Sequence, residues 1–169
     1  MVTKPVEINN DFQPLPRSPE LMNRDDSALL VVDAQEKLLE LIASRERIVW
    51  NIRRLLDAAA ALSVPYAGTE QYPDKLSPTV PDLKERIGAA PDKLAFSACV
   101  AGEIFERWRI EGISRVLVCG IETHVCIMQT TLDLLAAGFE SYVAVDAVGA
   151  RDTVDHDTAL RRMETAGGI

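Results

Sequence analysis

The sequence predicts a three-layer α/β/α domain with a parallel sheet in the middle layer. Short apolar runs alternate along the chain with longer amphipathic segments, and this alternation is typical of βαβ units. With 169 residues, the chain has the length of one domain. We assign residues 27–169 to this domain. Residues 1–26 are polar and contain four prolines, so we predict that they form an extended N-terminal arm.

The first half of the domain is predicted to contain three strands and one long helix. The run "SALLVVDAQ" predicts a strand over 28–32, because a short continuous apolar run suits a strand covered on both faces. Apolar residues at steps of three and four predict a helix over 46–62. Further strands are predicted near 64–69 and, with a weaker pattern, around 91–95.

The second half is predicted to begin with a helix and to add two strands. The helix ends at Gly112, because glycine commonly terminates helices. The apolar face of this helix is formed by Ile104, Phe105 and Trp108. The runs "SRVLVCG" and "ESYVAVDA" predict strands over 115–119 and 140–147.

Each of these two strands is followed by a predicted helix. The first of the two helices ends at Gly138. Its apolar face is predicted to contain Val125, Met128, Leu132, Leu135 and Ala136. The second covers 153–168, with Thr153 or Asp155 as its N-cap residue.

Composition excludes several kinds of partner. There are 18 basic and 26 acidic residues, which gives a net charge of −8 and no basic cluster, so we do not expect binding to nucleic acid. No segment has the roughly 20 apolar residues needed to cross a bilayer, and the start lacks the apolar core of a signal peptide. We therefore expect a cytoplasmic protein without a membrane partner.

The carboxyl ends of the predicted strands carry most of the residues that could perform chemistry. In an open parallel sheet, ligands bind beyond these ends, near the point where the strand order reverses. Asp33 follows the first strand and Lys93 lies in or after the third. The other residues at strand ends are Thr69, Glu70 and Gln71, the segment 122–126, and Asp146.

Cys126 is the best candidate nucleophile, because the start of a helix lowers the pKa of a thiol and favours its thiolate. The N–H groups of the same turn could also bind an oxyanion. Asp33 is a candidate base and Lys93 a candidate for stabilising the anions. His124 and His156 are less suitable bases, because His124 need not face Cys126 and His156 lies in the last predicted helix.

Structural roles for the cysteines are an alternative at this point. A single cysteine at a helix start is more often a small packed residue than a nucleophile. The chain has three cysteines and no CxxC pair, which argues against a disulfide framework and a zinc ribbon. We predict structural roles for Cys99 and Cys119. A redox-sensing thiol would require a second cysteine close to Cys126.

Three motifs, in the right order and spacing, resemble the isochorismatase-like cysteine hydrolases, the superfamily of nicotinamidase and N-carbamoylsarcosine amidohydrolase. The motifs are "ALLVVDAQ", Lys93 with Phe96 and Ser97, and "GIETHVC". "TEQYP" and "SPTVPDL" resemble the subgroup of isochorismatase domain-containing proteins. The resemblance implies a Rossmann-like sheet of order 3-2-1-4-5. It also implies a sixth strand, which is missing here, so we expect the C-terminus to be truncated.

The resemblance also assigns roles to individual residues. It implies a catalytic triad of Asp33, Lys93 and Cys126, in which Cys126 attacks a carbonyl carbon and a water later cleaves the thioester. It further implies a cis peptide bond between Ile121 and Glu122, and an oxyanion hole formed by the N–H groups of Glu122 and Cys126. Members of the family form oligomers, so we expect a dimer or a larger homo-oligomer.

Two departures from the family pattern narrow the function. The residues after the second strand include no histidine, so we expect neither a catalytic metal nor another cofactor. Cys126 argues against cleavage of isochorismate, because true isochorismatases lack this cysteine. We predict a metal-independent hydrolase that acts on a C–N bond of a small amide or related acyl compound. The alternative is a weak or inactive member that serves as a binding or oligomeric scaffold. The predicted pocket residues are Gln35, Glu70, Tyr72, Phe96 and Val125.

Overall fold

The computed structural model describes residues 15–169, so residues 1–14 of the predicted arm lie outside the described part of the chain. Five parallel strands form one sheet in the order β3-β2-β1-β4-β5, which confirms the predicted order. The strands are β1 (Ser27–Val32), β2 (Tyr66–Gln71), β3 (Asp92–Lys93), β4 (Arg115–Ile121) and β5 (Glu140–Gly149).

Helices cover both faces of this sheet and complete the three predicted layers. They are α1 (Glu36–Leu39), α2 (Arg45–Leu62), α3 (Pro73–Leu76), α4 (Pro81–Ile87), α5 (Gly102–Ile110), α6 (Met128–Ala136) and α7 (Thr153–Thr165). A 3₁₀ turn over Ala98–Val100 precedes α5, and a π turn over Thr123–Ile127 leads directly into α6.

The apolar core has two parts, one on each face of the sheet. Leu30 and Val32 of β1 pack in the part that contains Trp108 of α5 and Leu134 of α6. Leu29 and Val31 pack on the opposite face, with residues of α1, α2 and α4 such as Ile52. Successive β1 side chains thus point to opposite faces, and both faces are dry. This burial explains why the sequence of β1 is a continuous apolar run.

The predicted apolar face of α6 is only partly correct. Val125 and Met128 are half-buried and pack against the core. Leu132 and Leu135 are only half-buried and Ala136 is exposed. The buried face consists instead of Ile127, Thr130, Thr131 and Leu134. The buried positions still follow steps of three and four, but two of them, Thr130 and Thr131, are polar. A pattern read from apolar side chains alone therefore selects neighbouring residues instead.

The predicted start of the last helix also needs correction. Neither Thr153 nor Asp155 is its N-cap residue. The N-cap is Asp152, whose Oδ1 accepts a hydrogen bond of 2.8 Å from the N–H of Val154. The helix ends before 168, because Gly167 has a left-handed φ of 102°.

The edges of the domain are held by a few specific contacts. Arg115 at the start of β4 binds Asp26, Glu140 and the carbonyl oxygen of Pro19, so residues just before β1 pack at the end of the sheet opposite the candidate site. Ile169 lies beside the outer edge of β5, where it exchanges backbone hydrogen bonds with Ser141 and Val143. Among residues 15–169, no helix is long and apolar enough to cross a membrane.

Candidate active site

The strand register brings the predicted site residues to one end of the sheet. Val32, the last residue of β1, pairs with Thr69 on one side and Gly120 on the other. Asp33 therefore lies between the ends of β2 and β4. Lys93 ends β3 and pairs with Gln71 of β2. This is the reversal point of the strand order, where an open parallel sheet forms its binding crevice.

Asp33 is held by its backbone and by both carboxylate oxygens. Its φ is +52°, a left-handed value that is uncommon for a residue with a side chain. Its Oδ1 accepts a hydrogen bond of 2.9 Å from the Thr69 hydroxyl, and its Oδ2 accepts one of 2.6 Å from Lys93 Nζ. The side chains of Asp33 and Lys93 are both fully buried. The pair is therefore a dry ion pair of fixed geometry.

Lys93 reaches Asp33 even though β2 separates β3 from β1. Its ammonium group also donates to Gln71 Oε1 at 2.8 Å, to the Phe96 carbonyl at 2.9 Å and to the Ala95 carbonyl at 3.3 Å. The amide of Gln71 is itself fixed, because its Nε2 donates to the Leu94 carbonyl at 2.8 Å. With all its protons directed at acceptors, Lys93 is suited to supply charge and not to move protons.

The loop after Lys93 is bound to the helix that carries Cys126. The hydroxyl of Thr130 in α6 accepts a hydrogen bond of 2.8 Å from the N–H of Ala98. Thr130 is fully buried, so water does not compete for this bond. This contact explains how the loop leans inward and brings Lys93 and Cys126 to the same site.

Cys126 lies in the π turn, where the backbone departs from a regular helix. The Glu122 carbonyl accepts the N–H groups of Val125 at 3.1 Å and Ile127 at 3.2 Å. Within this described turn, these two bonds replace the bond to Cys126 N–H that an α-helix would make. The peptide bond between Ile121 and Glu122 is cis, at the position that the family resemblance implies.

Gly120 allows β4 to approach β1 closely at this point. Its φ is +120°, and a Cβ atom placed there would lie 1.9 Å from the Val32 carbonyl oxygen. Only glycine fits such a position without displacement of the backbone. The short distance between the chain segments that lead to Asp33 and to Glu122 therefore depends on this glycine.

Burial dominates the protonation of the site. It raises the pKa of Asp33, although the charge and hydrogen bond of Lys93 oppose the shift. Burial also raises the pKa of the Cys126 thiol; the Asp33 carboxylate raises it further, while Lys93 and the backbone N–H of Glu122 act in the opposite sense. This result corrects the expectation that the helix start lowers the thiol pKa. The resting site holds a neutral thiol beside a carboxylate of increased basicity.

The other two cysteines lie in less reactive surroundings. Burial raises the pKa of Cys99 to about 11. Cys119 is fully buried inside β4, and its thiol donates to the Leu30 carbonyl at 3.6 Å. All three cysteines are free thiols. The positions of Cys99 and Cys119 suit the structural roles predicted for them.

Comparison with known proteins identifies the family. The Isochorismatase domain matches residues 27–169, which is most of the chain. The chain belongs to the isochorismatase family. It is 43% identical over 145 residues to human isochorismatase domain-containing protein 2, which covers 85% of this chain and 69% of the human protein.

Two solved structures show the same architecture. The protein described as MAR1 ribonuclease from Caenorhabditis elegans is 43% identical, with a TM-score of 0.80 over 88% of this chain and 77% of that one. The YcaC gene product of Escherichia coli, described as an octameric hydrolase of unknown specificity, is 25% identical, with a TM-score of 0.81 over 90% and 78% of the two chains. The family assignment supports a hydrolase.

In this isochorismatase-family site, the five predicted pocket residues fall into two groups. Gln35 is fully buried, and its amide binds the backbone of Gln71 and the Ser77 carbonyl. Glu70 binds Thr79 N–H and Lys84 Nζ. Both side chains hold loops together beside the site, and their place in a substrate pocket stays a prediction.

The other three predicted pocket residues are open to solvent. Tyr72 is 43% exposed and Phe96 is 50% exposed, so both rings are available at the surface beside Lys93. Val125 is half-buried and precedes Cys126. These three residues remain candidates for contact with a small molecule.

Thr69 and Gln71 bind the candidate site residues and Thr130 binds the loop after Lys93, but sequence reasoning gave none of the three a role. The side chains of Thr69 and Gln71 bind Asp33 and Lys93, whereas Glu70 between them faces α4. This alternation follows the period of two in a strand, so it could have been used at the end of β2. Thr130 gave no such signal, because its partner Ala98 is distant in the sequence.

The polar residues at the end of β2 are already bound to other site residues. Thr69 and Gln71 use their side chains for Asp33 and Lys93. Within residues 15–169, no group of three or more histidine, cysteine, aspartate or glutamate side chains is arranged to hold a metal ion.

Proposed function

We propose that the chain is a cysteine hydrolase of a small amide or related acyl compound, with Cys126 as nucleophile, Asp33 as base and Lys93 as electrostatic partner. The observation that carries this proposal is the buried Asp33–Lys93 ion pair, with its 2.6 Å contact, beside a thiol at the start of a helix. A dry ion pair is costly unless further hydrogen bonds satisfy it. Its presence at the strand ends favours a catalytic role.

In the first step, the sulfur of Cys126 attacks the carbonyl carbon of the amide. A C–S bond forms, the carbonyl π electrons move to oxygen, and the thiol proton passes to the Asp33 carboxylate. The raised pKa of Asp33, caused by burial, makes it a stronger base than an exposed aspartate. The raised pKa of Cys126, also caused by burial, means that the proton leaves during the attack and not before it.

The negative charge of the tetrahedral intermediate needs fixed donors. The Glu122 carbonyl accepts the N–H groups of Val125 and Ile127, which leaves the Cys126 N–H as one candidate donor. The Glu122 N–H, which forms a hydrogen bond with the Cys126 sulfur, is the other. We propose that these two N–H groups form the oxyanion hole. Donors of this kind are held by the turn before the reaction begins. They need no reorganisation when the charge develops.

The intermediate then collapses to a thioester. The C–N bond breaks, and Asp33 returns its proton to the leaving amine. A water molecule next attacks the thioester carbonyl, and Asp33 accepts a proton from this water. The C–S bond then breaks to release the acid, and Asp33 returns its proton to the Cys126 sulfur, which restores the neutral thiol. Lys93 balances the charge of Asp33 whenever the carboxylate is ionised, because its three protons stay directed at fixed acceptors.

We propose that no metal takes part, since the described residues already supply a nucleophile, a base and oxyanion donors. The side chains at the end of β2 that would have to bind a metal are engaged with Asp33 and Lys93. Full activity after exhaustive dialysis against a chelator is the expected result. Loss of activity that returns with added divalent metal would contradict this part of the proposal.

Charge also argues for a small uncharged substrate over RNA. The cations that contact site residues are each paired with a carboxylate: Lys93 with Asp33, Lys84 with Glu70 and Arg151 with Glu122. The chain carries a net charge of −8. RNA nevertheless belongs in any substrate panel, because the Caenorhabditis elegans relative is described as a ribonuclease.

We further propose that the chain forms a homo-oligomer. The Escherichia coli relative is described as an octamer. Large apolar side chains beside Lys93 are exposed here, including Leu94 at 75% and Phe96 at 50%. Light scattering after size-exclusion chromatography is expected to give a mass of at least twice 18.6 kDa. A monomer at micromolar concentration would contradict this proposal.

The decisive experiment combines turnover with trapping of the thioester. A panel of small amides, with RNA as a separate arm, is incubated with the wild-type protein, and the acid-quenched protein is analysed by mass spectrometry. We expect one acyl adduct on Cys126 and no turnover by the Cys126→Ala protein, while Cys99→Ala stays active. RNA cleavage that survives Cys126→Ala would refute the proposal. Folded protein without turnover or adduct would favour the scaffold function.

A further inference from the structure

We propose that Arg151 is a positioning residue for the chemistry at Cys126 and that it acts through the carboxylate of Glu122. This inference rests on the proposed function, since it concerns how the same nucleophile is oriented. Glu122 Oε2 accepts a hydrogen bond of 3.2 Å from the backbone N–H of Arg151 and one of 3.1 Å from its Nε. Arg151 thus binds Glu122, the N-cap residue of the π turn that carries Cys126.

The contact with Arg151 is one of three between this turn and the start of α7. The Thr123 hydroxyl lies 2.9 Å from His156 Nδ1, and Thr123 is fully buried. His124 Nε2 lies 3.7 Å from the Asp155 carboxylate. Three consecutive residues, 122, 123 and 124, are thus each in contact with a residue from 151–156. The segment that leads into α7 acts as a support for the nucleophile turn.

Glu122 is the residue of this turn whose orientation matters most. Its carbonyl accepts the N–H groups of Val125 and Ile127, and its own N–H acts on the Cys126 sulfur. A rotation of Glu122 therefore changes both the shape of the turn and the donor that faces the sulfur. The Glu122 side chain is only 10% exposed, so its carboxylate needs a partner. Arg151 supplies a positive charge to this carboxylate, and its two donors fix the orientation of the Glu122 side chain.

The expected effect is modest, because the Arg151 side chain is 57% exposed and solvent screens the ion pair. Arg151→Ala removes the Nε donor and leaves the backbone N–H in place. We expect the rate constant at Cys126 to fall by about two- to fivefold, the range for loss of a partly exposed charged contact. Misalignment of Glu122 also weakens the hydrogen bond from its N–H to the Cys126 sulfur, which favours the thiolate. The reaction rate of Cys126 is therefore expected to rise at a higher pH than in the wild type.

The test uses acrylamide as the probe, so it needs no knowledge of the natural substrate. Addition forms a bond between the Cys126 sulfur and the β-carbon of acrylamide and breaks the carbon–carbon π bond. The thiol proton ends on the α-carbon. Negative charge develops on the amide oxygen during attack, which makes the rate sensitive to the N–H donors of the turn. Mass spectrometry gives the rate constant at Cys126 as a function of pH.

Matched variants separate positioning from a loss of stability. Arg151→Lys keeps a cation and is expected to recover part of the rate. Arg161→Ala removes an exposed arginine of α7, whose side chain donates a hydrogen bond of 3.3 Å to the Thr158 hydroxyl, and is expected to react like the wild type. The urea unfolding midpoint is measured for each variant. If the rate falls only in proportion to lost stability, or Arg151→Ala reacts like the wild type, the proposal is wrong.

A double-mutant cycle tests whether Arg151 acts through Glu122. If it does, Glu122→Gln and Arg151→Ala together are expected to slow the reaction no more than the stronger single variant. Multiplicative effects would overturn the proposal. Failure of the proposed function is distinguished by a different measurement. It would appear as amide turnover that persists in the Cys126→Ala protein, and this result does not depend on the Arg151 variants.

Discussion

The Lys93→Met substitution tests the buried ion pair most directly. Lys93 and Asp33 are both fully buried and 2.6 Å apart. Removal of one partner from a buried ion pair typically costs about 3–5 kcal/mol, because the remaining charge loses its compensation. This cost is a large part of the roughly 5–15 kcal/mol that stabilises an ordinary domain. We expect Lys93→Met to be folded but much less stable in urea at neutral pH, and to be inactive.

The pH dependence of this loss follows from Asp33. Burial already raises its pKa above the ordinary value of 3.8 while Lys93 opposes the shift, so removal of Lys93 raises the folded-state pKa further. A raised carboxyl pKa means that the folded state binds more protons than the unfolded state. The resulting destabilisation is absent below the unfolded pKa and grows as pH rises through the folded pKa. The variant should therefore approach wild-type stability in acid.

Two further variants complete this experiment. The double variant Asp33→Asn with Lys93→Met removes both charges, so it is expected to regain most of the lost stability and to remain inactive. Arg107→Met removes an exposed contact of 3.7 Å with Glu111 and serves as the control, with an expected cost below about 0.5 kcal/mol. A pH-independent loss in Lys93→Met, or a double variant less stable than the single one, would refute the reasoning.

Three other substitutions test the fold around the site by urea unfolding. Gly120→Ala is expected to reduce the free energy of unfolding by at least about 3 kcal/mol, from backbone strain and overlap with β1. The control Gly138→Ala, where a Cβ meets no neighbour, is expected to cost about 1 kcal/mol. Similar losses in the two variants would contradict the close approach of β4 to β1. Burial raises the pKa of Glu70, but its hydrogen-bond donors, chiefly Lys84, lower it overall. The ionised Glu70 carboxylate therefore stabilises the fold above its unfolded-state pKa, and this stabilisation is lost as pH falls through its folded-state pKa. Glu70→Gln is expected to cost about 1 kcal/mol of unfolding free energy at neutral pH and little in acid. An equal cost at the two pH values would contradict this prediction. Asp152→Ala is expected to cost about 1 kcal/mol, and no change would argue against its capping bond.

Periodic elements were predictable because their burial is periodic. The apolar steps of α2 and the continuous apolar run of β1 reflect one buried face and two buried faces, respectively. The strand order followed from family resemblance and not from these patterns. Short elements such as α3 (Pro73–Leu76) were not predicted, since four residues are too few to show a period.

The candidate residues of the site were easier to select from the sequence than their surroundings were to predict. Asp33, Lys93 and Cys126 were selected by their places at strand ends and by family motifs. The left-handed backbone of Asp33 and the π turn around Cys126 have no local pattern in the sequence, because both depend on how β1 and β4 meet. The error in the face of α6 arose because Thr130 and Thr131 are buried although they are polar. The error in the direction of the Cys126 pKa shift arose because burial outweighs the effect of the helix start.

The wider turn and the raised thiol pKa belong to one chemical arrangement. A thiol that is neutral at rest places no second negative charge beside Asp33, so only one anion faces the Lys93 ammonium group. In the proposed reaction, attack on a carbonyl moves one proton from sulfur to a carboxylate of raised pKa. A thiolate formed in advance would instead have to share a dry site with the carboxylate that we propose as base. Under this proposal, burial of the site lowers the resting reactivity of Cys126 and makes its attack dependent on Asp33.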